Sequence, residues 1–228
     1  MQHPFEFAVS LFTMALFATL LAGCTTPSAA PSSPAPSSAQ NRPSPAAAEE
    51  PVAAAVTIAT ESITITNDDG SVASSFTYFE VSEKVIAALT EAFGFEPTRA
   101  PIVPQYEVDP ADADSVTWDG FVLIDLYAAA EQPYYPAFGV ISQSPEVGEV
   151  TIKTEDGIAV GDAIDDLAAK YPRRTSTYTG TTSGVEYYTI KFGERFPPKD
   201  SLTPHHVRVQ GAIGTTVTFM SAPNADRQ

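Results

Sequence analysis

The run Ser62-Ile63-Thr64-Ile65-Thr66-Asn67-Asp68-Asp69-Gly70 alternates apolar and polar residues and then stops in a turn. Period-two alternation places Ile63 and Ile65 on one face of a strand. Asn-Asp-Asp-Gly is hairpin chemistry, and Ser71 to Phe79 reads as the returning strand. The pattern recurs downstream as Val150-Thr151-Ile152-Lys153-Thr154-Glu155-Asp156-Gly157. In both places a helix and then a group of strands follow. This echo predicts an α+β fold of two degenerate β-α-β repeats, with helices packed on antiparallel sheet, after a disordered stalk. Two unrelated α+β halves are the alternative, because an Asp-Gly turn is common. The boundaries on this reading are 57–147 for the first half, 148–223 for the second and 224–228 for a disordered tail.

Working outward, Val81, Val85, Ile86, Leu89 and Phe93 fall at helical spacing, with Ser82 as N-cap and Gly94 as stop, which predicts a helix over 82–93. Residues 98–115 read as a Pro- and Asp-rich loop holding one short strand near 102–108. Strands are expected at 117–126, 137–143 and 149–154. A second helix starts from Asp162 as N-cap, with Asp165 and Asp166 in its first turn, and Pro172 stops it. Further strands are expected near 176–179, 185–192, 207–211 and 215–221.

The N-terminal quarter is different in kind. Phe7 to Ala22 is apolar, too short to span a membrane comfortably and suited to a signal-peptide core. It ends in Leu21-Ala22-Gly23-Cys24, which resembles a bacterial lipobox. Residues 1–23 then form the signal peptide, and Cys24 is the lipidation site. The segment before the apolar core, Met1 to Glu6, lacks the usual Lys or Arg, which a start codon called too far downstream would explain. From 24 to 56 the chain is rich in Ala, Pro and Ser with no apolar periodicity, so it reads as a disordered linker. At roughly 3 Å per residue in polyproline geometry, some thirty residues reach about 90 Å. The same composition also suits an O-glycosylated stalk.

Charge narrows the partners. The chain carries 28 acidic against 12 basic residues, a net charge of −16, and removal of the signal takes away only Glu6. Nucleic acid is disfavoured, because its binding depends on Lys and Arg at phosphates. The single cysteine permits no internal disulfide.

Chemical motifs are sparse. No nucleophile elbow, phosphate-cradling loop or Cys/His metal spacing is present. His205 and His206 are adjacent, point to opposite faces of a strand, and read as a surface pair. Asp109, Asp112, Asp114 and Asp119 offer hard oxygen ligands for Ca²⁺ but lack the glycine and closing glutamate of an EF-hand; a solvated loop is the plainer reading. Asp165 and Asp166 point apart on a helix, so they suit capping better than a glycosidase pair. Among the aromatics, Phe121 and Tyr188 read as core, while Trp118, Tyr134, Tyr135 and Tyr187 are candidates for a recognition face.

The lipobox, the stalk and Asp156-Gly157-Ile158-Ala159-Val160-Gly161-Asp162-Ala163-Ile164-Asp165-Asp166-Leu167, followed by Tyr171-Pro172, resemble uncharacterised secreted lipoproteins of high-GC Gram-positive bacteria. That resemblance covers the length of the chain and implies no activity. The Gly-Ile-x-Val-Gly-Asp run into a short helix is more distantly similar to the small repeat of β-lactamase-inhibitor-like proteins and of outer-membrane assembly lipoproteins. Those families bind other proteins, and the resemblance carries over Gly161, Asp162 and Leu167 as structural positions.

These readings combine into one expectation. The chain is a lipid-anchored, extracytoplasmic, non-catalytic binding domain without cofactor, held to the membrane through Cys24 and contacting an envelope protein or cell-wall glycan through Trp118, Tyr134 and Tyr135. The alternatives are a carboxylate-based envelope hydrolase and a Ca²⁺-stabilised structural module.

Overall fold

A computed structural model of the protein describes residues 51–102, 113–126, 135–195 and 205–225. The signal peptide, Cys24, the linker up to residue 50, Asp109, Asp112 and Tyr134 lie outside the described residues. The described chain forms thirteen strands and two helices. In chain order these are β1 Ala53–Ile58, β2 Ser62–Asn67, β3 Val72–Thr77, α1 Ser82–Phe93, β4 Thr98–Pro101, β5 Ala113–Trp118, β6 Phe121–Leu126 and β7 Phe138–Ser142, then β8 Glu146–Val147, β9 Val150–Thr154, α2 Ile164–Lys170, β10 Thr175–Thr179, β11 Glu186–Arg195, β12 His205–Ala212 and β13 Phe219–Ala225.

The strands make two sheets. One has five strands in the order β3-β2-β1-β9-β8, and the other has eight in the order β10-β11-β12-β13-β7-β6-β5-β4. Within the first, β1 and β9 run parallel, with Val56 opposite Ile152. The larger sheet consists of two four-stranded meanders that meet where β7 pairs antiparallel with β13, Ile141 opposite Ser221.

This arrangement overturns the expected fold class. Strand accounts for 52% and helix for 13% of the described chain, so the fold is β-rich and not α+β with helices packed on antiparallel sheet. Nor does each half build its own sheet, since β1 and β9, from opposite halves, are neighbours, as are β7 and β13. Three further strands explain the shift. β1 lies partly inside the segment read as linker, and its Ala-Ala-Ala start has no large apolar residue to betray it. β4, Thr-Arg-Ala-Pro, is exposed throughout and reads as loop. The stretch expected as one strand over 117–126 is a hairpin, folded back at Asp119 (φ 32°) and Gly120 (φ 89°). At the other end, Asn224 belongs to β13 opposite His206, inside the expected tail.

Where the pattern was strong, local structure follows it. α1 spans 82–93, and Gly94 closes it in the left-handed region (φ 77°), donating its N–H to Thr90 O. The caps differ from expectation. Val81, not Ser82, is the N-cap of α1, because the Ser82 hydroxyl donates to Asp125 Oδ1 at 2.7 Å. In α2 the cap is Ala163; Asp162 instead accepts from the Ala159 N–H in the preceding turn. The Ala163 bridge to Thr216 and the Gly214 N–H donated to Asp165 tie that helix start to the segment leading into β13.

A single core lies on the inward face of the large sheet. Phe121 and Leu123 from β6, Phe138 and Val140 from β7, Ile190 and Phe192 from β11, and Val207 and Val209 from β12 meet Val56, Ile58, Ile63, Ile65 and Ile152 of the smaller sheet. α1 contributes Val85, Leu89 and Phe93; the Phe93 ring lies edge-on to Trp118 at 5.7 Å and to Phe121 at 5.6 Å. Tyr78 is 1% exposed. Burial pushes its phenol well above the ordinary range, so it stays neutral and donates to Ala59 O at 2.9 Å. The expected surface pair His205 and His206 is buried, at 8% and 2% exposure.

Among the described glycines, Gly211 has the closest approach to another stretch of backbone. A Cβ there would meet Thr216 O at 2.2 Å and Thr216 C at 2.9 Å. Because backbone cannot swing away as a side chain can, Gly211→Ala is expected to lower the unfolding free energy by about 3 kcal/mol, the upper end of overpacking costs, read from urea denaturation.

Candidate interaction surface

In a strand, successive side chains alternate between faces, so the inward core defines a second set that faces away from it. On β10 and β11 that set holds Tyr178 and, directly opposite, Tyr187. On β12 it holds Arg208 and Gln210, which face Ser221 and Phe219 of β13. Across the seam come Ile141 of β7 and Val122 of β6, with Ile124 beyond. Val122, Ile124, Ile141 and Phe219 are half-buried and stand outside the core cluster. This outer face, built from both meanders, is the candidate site.

Its organising feature is an aromatic pair. The rings of Tyr178 and Tyr187 stack with centroids 5.1 Å apart at 13°, the geometry that a directly opposed cross-strand pair allows. The Gln210 side-chain amide donates to the Tyr178 hydroxyl, which fixes the outer ring. Burial, and next the neighbouring Tyr187, raise the Tyr178 phenol above its usual value, with Arg208 pulling the other way; the hydroxyl therefore stays protonated. Arg208 lies over the Phe219 ring at 5.2 Å, and among the described residues its Nε–H has no hydrogen-bond partner. A recess of about 400 Å³ opens beside the pair, lined by Tyr178, Tyr187, Gln210 and Phe219 with the turn residues Gly180 to Ser183. Rigid rings, an amide and a held guanidinium suit contact with a protein or a sugar.

The residues singled out from sequence fare differently. Tyr187 lies on this face, whereas Phe121 is core and Tyr188 packs against the core. Tyr135 is 62% exposed, in the segment before β7. Trp118 cannot serve recognition, being 0% exposed beneath Phe93 and Phe121. Tyr178, Arg208, Gln210, Phe219 and Ile141 were not anticipated. The alternation in Thr175-Ser176-Thr177-Tyr178-Thr179 was the available signal for the first of them.

The acidic candidates are not brought together. Asp114 is ion-paired with Arg99 at 2.9 Å, and Asp119 sits at the exposed tip of the β5–β6 hairpin, roughly 16 Å further along at strand rise. Among the described residues no group of three His, Cys, Asp or Glu is placed to hold a metal ion. Asp165 and Asp166 stay in the first turn of α2. Among the described residues Asp125 is the buried carboxylate, 5% exposed, and it is held by Arg99 and the Ser82 hydroxyl. Arg99 also reaches Glu83 at 3.0 Å, so one guanidinium ties β4 to the start of α1 and to β5 and β6. Its own ionisation is reinforced first by the hydrogen bond to Glu83.

No family model, curated protein or solved structure matches this chain. The functional reading rests on the surface itself.

Two outcomes are expected here. Arg99→Ala strands the Asp125 charge and should cost about 3 kcal/mol, the low end for breaking a buried pair because Arg99 is partly exposed. Glu83→Gln should change stability by less than about 1 kcal/mol; both are read by denaturant titration. The second concerns His205, stacked on Phe79 at 6.1 Å, whose pKa burial lowers below 6.5. Between those two values the unfolded chain binds more protons than the folded one, so stability rises with pH there. It is lost as pH falls from 6.5 toward the folded value. Melting temperatures between pH 7.5 and 5.5 should show that loss, and His205→Phe should flatten it.

Proposed function

We propose that this chain is a non-catalytic binding domain displayed on the extracytoplasmic face of the membrane from a lipid on Cys24, with an envelope protein or cell-wall glycan as partner. The observation that carries the reading is the outer face of the eight-stranded sheet, where Tyr178, Tyr187, Phe219 and Ile141 are presented away from the core. Apolar and aromatic side chains gathered on one face in this way mark interaction sites more often than chance exposure does. The lipobox-like Leu21-Ala22-Gly23-Cys24 and the Pro-rich linker support the address. Such a stalk would hold the domain clear of the bilayer while limiting its search volume. No helix among the described residues is long and apolar enough to cross a membrane, so within that part of the chain a helical anchor has no seat.

The carboxylates give less support to hydrolysis. A glycosidase needs two acids facing each other across a cleft, and the buried Asp125 faces a cation instead. Binding is what an aromatic platform with an adjoining amide and guanidinium can do without further chemistry.

Two linked measurements test the proposal. Cys24→Ser should move the protein from the membrane fraction to the medium, and acyl labelling of the wild type should be lost in the variant. Crosslinking from native envelopes should retain a partner with the wild-type chain and lose it with Tyr178→Ala/Tyr187→Ala, while Val72→Ser, on the exposed edge strand of the other sheet, retains it. Equal retention by both variants would count against the outer face.

A further inference from the structure

Lys170, Arg173, Arg174 and Lys191 gather at one margin of the eight-stranded sheet, in a chain with only 12 basic residues and a net charge of −16. Between Leu167 and Val185 there is no Asp or Glu. The end of α2 delivers Lys170 and the turn delivers Arg173 and Arg174. β11 then brings Lys191 alongside, its N–H donated to Arg174 O at 3.1 Å. A cleft of about 480 Å³ is lined here by Arg173, Arg174, Thr175, Ser176, Lys191 and Gly193, with no acidic side chain among them.

The cleft is partly pre-organised. The Arg174 guanidinium lies 5.7 Å from the Tyr171 ring and 5.6 Å from the Phe192 ring, which are themselves locked edge-to-face at 5.0 Å. Lys170 Nζ sits 5.1 Å from the same Tyr171 ring. Cation–π contacts hold these groups without consuming their charge. Among the described residues neither Arg173 nor Arg174 is in an ion pair. The Thr175 and Ser176 hydroxyls donate to Tyr171 O and Thr189 O, so recognition falls to the cations.

We propose that this cleft is an anion site that takes a single phosphoryl group, as a phosphomonoester or phosphodiester. Arginine forks match the paired oxygens of phosphate, and the two adjacent arginines supply both direction and charge. The size of the cleft and the charge of the whole chain set the limit on the ligand. A long polyanion would meet the net negative field beyond the cleft, whereas one phosphoryl group engages only the basic island. The site is separate from the Tyr178–Tyr187 recess and does not depend on it.

The test is an amide NMR titration of the full chain with inorganic phosphate at constant ionic strength, beside vesicles of phosphatidylglycerol. Saturable shifts are expected at Arg173 to Ser176 and at Gly193. Arg173→Gln/Arg174→Gln should weaken binding roughly tenfold or more, as expected when two charge-assisted contacts are lost, and Lys153→Gln should not change it. If the double variant melts early, Arg173→Gln alone carries the comparison, with a several-fold loss expected. Soluble phosphate binding identifies the phosphoryl group itself as the ligand; a vesicle response that the same variants abolish adds the lipid headgroup as one source of it. No saturable shift, an equal shift in variant and wild type, or a response to vesicles without one to soluble phosphate would each overturn the proposal.

Discussion

The pairing of β7 with β13 is the contact on which the rest of the structure depends. It sets Val140, Ile141 and Ser142 against Ala222, Ser221 and Met220 and so fuses a meander from the first half of the chain with one from the second. Because side chains alternate across a strand, that one seam aligns two surfaces together. Val140, Met220 and Ala222 turn inward to the core, while Ile141 and Ser221 continue the outer face. A slip by one residue would exchange the two sets, which is why burial on the inward side also specifies what is displayed outward.

The smaller sheet repeats the logic. β1 and β9, far apart in sequence, run parallel, so both sheets are stitched from both halves. Tyr78 strengthens the junction by donating to Ala59 and accepting, at its carbonyl, the N–H of Ala137. Arg99 does the same electrostatically at the opposite margin, gathering Glu83, Asp114 and Asp125 from three elements. Such contacts stabilise only in context, since a buried carboxylate without its cation costs more than the pair contributes.

Sequence made local structure legible and pairing illegible. Strong periodicity identified α1 and β2, and turn chemistry marked Gly70, Gly94 and Gly157, where the backbone does adopt positive φ. β4 escaped because its stability comes from its neighbour in the sheet and not from its own apolar content, and β1 because three alanines precede its only large apolar residues, Val56 and Ile58. Trp118 looked like a recognition residue since nothing local reveals that Phe93 will cover it. Tyr178 and Tyr187 become a stacked pair only through the β10–β11 register, and Arg208 joins them from a third strand. Arg99 was invisible as a hub for the same reason, its partners lying on α1, β5 and β6. The basic island at 170–174 was present in the sequence, but Lys191 joins it only in the fold.

The claim that one outer face is built by both halves can be tested by a disulfide across the seam. Ile141 and Ser221 are directly opposed, and antiparallel partners have Cα separations of about 4.5–5.5 Å, within disulfide reach. Ile141→Cys/Ser221→Cys, in a chain carrying Cys24→Ser, is predicted to oxidise to an intramolecular bond on the folded protein, with its melting temperature retained or raised. Thiols that stay free in the folded state, or that crosslink only after unfolding, would contradict the seam and the continuous face built on it.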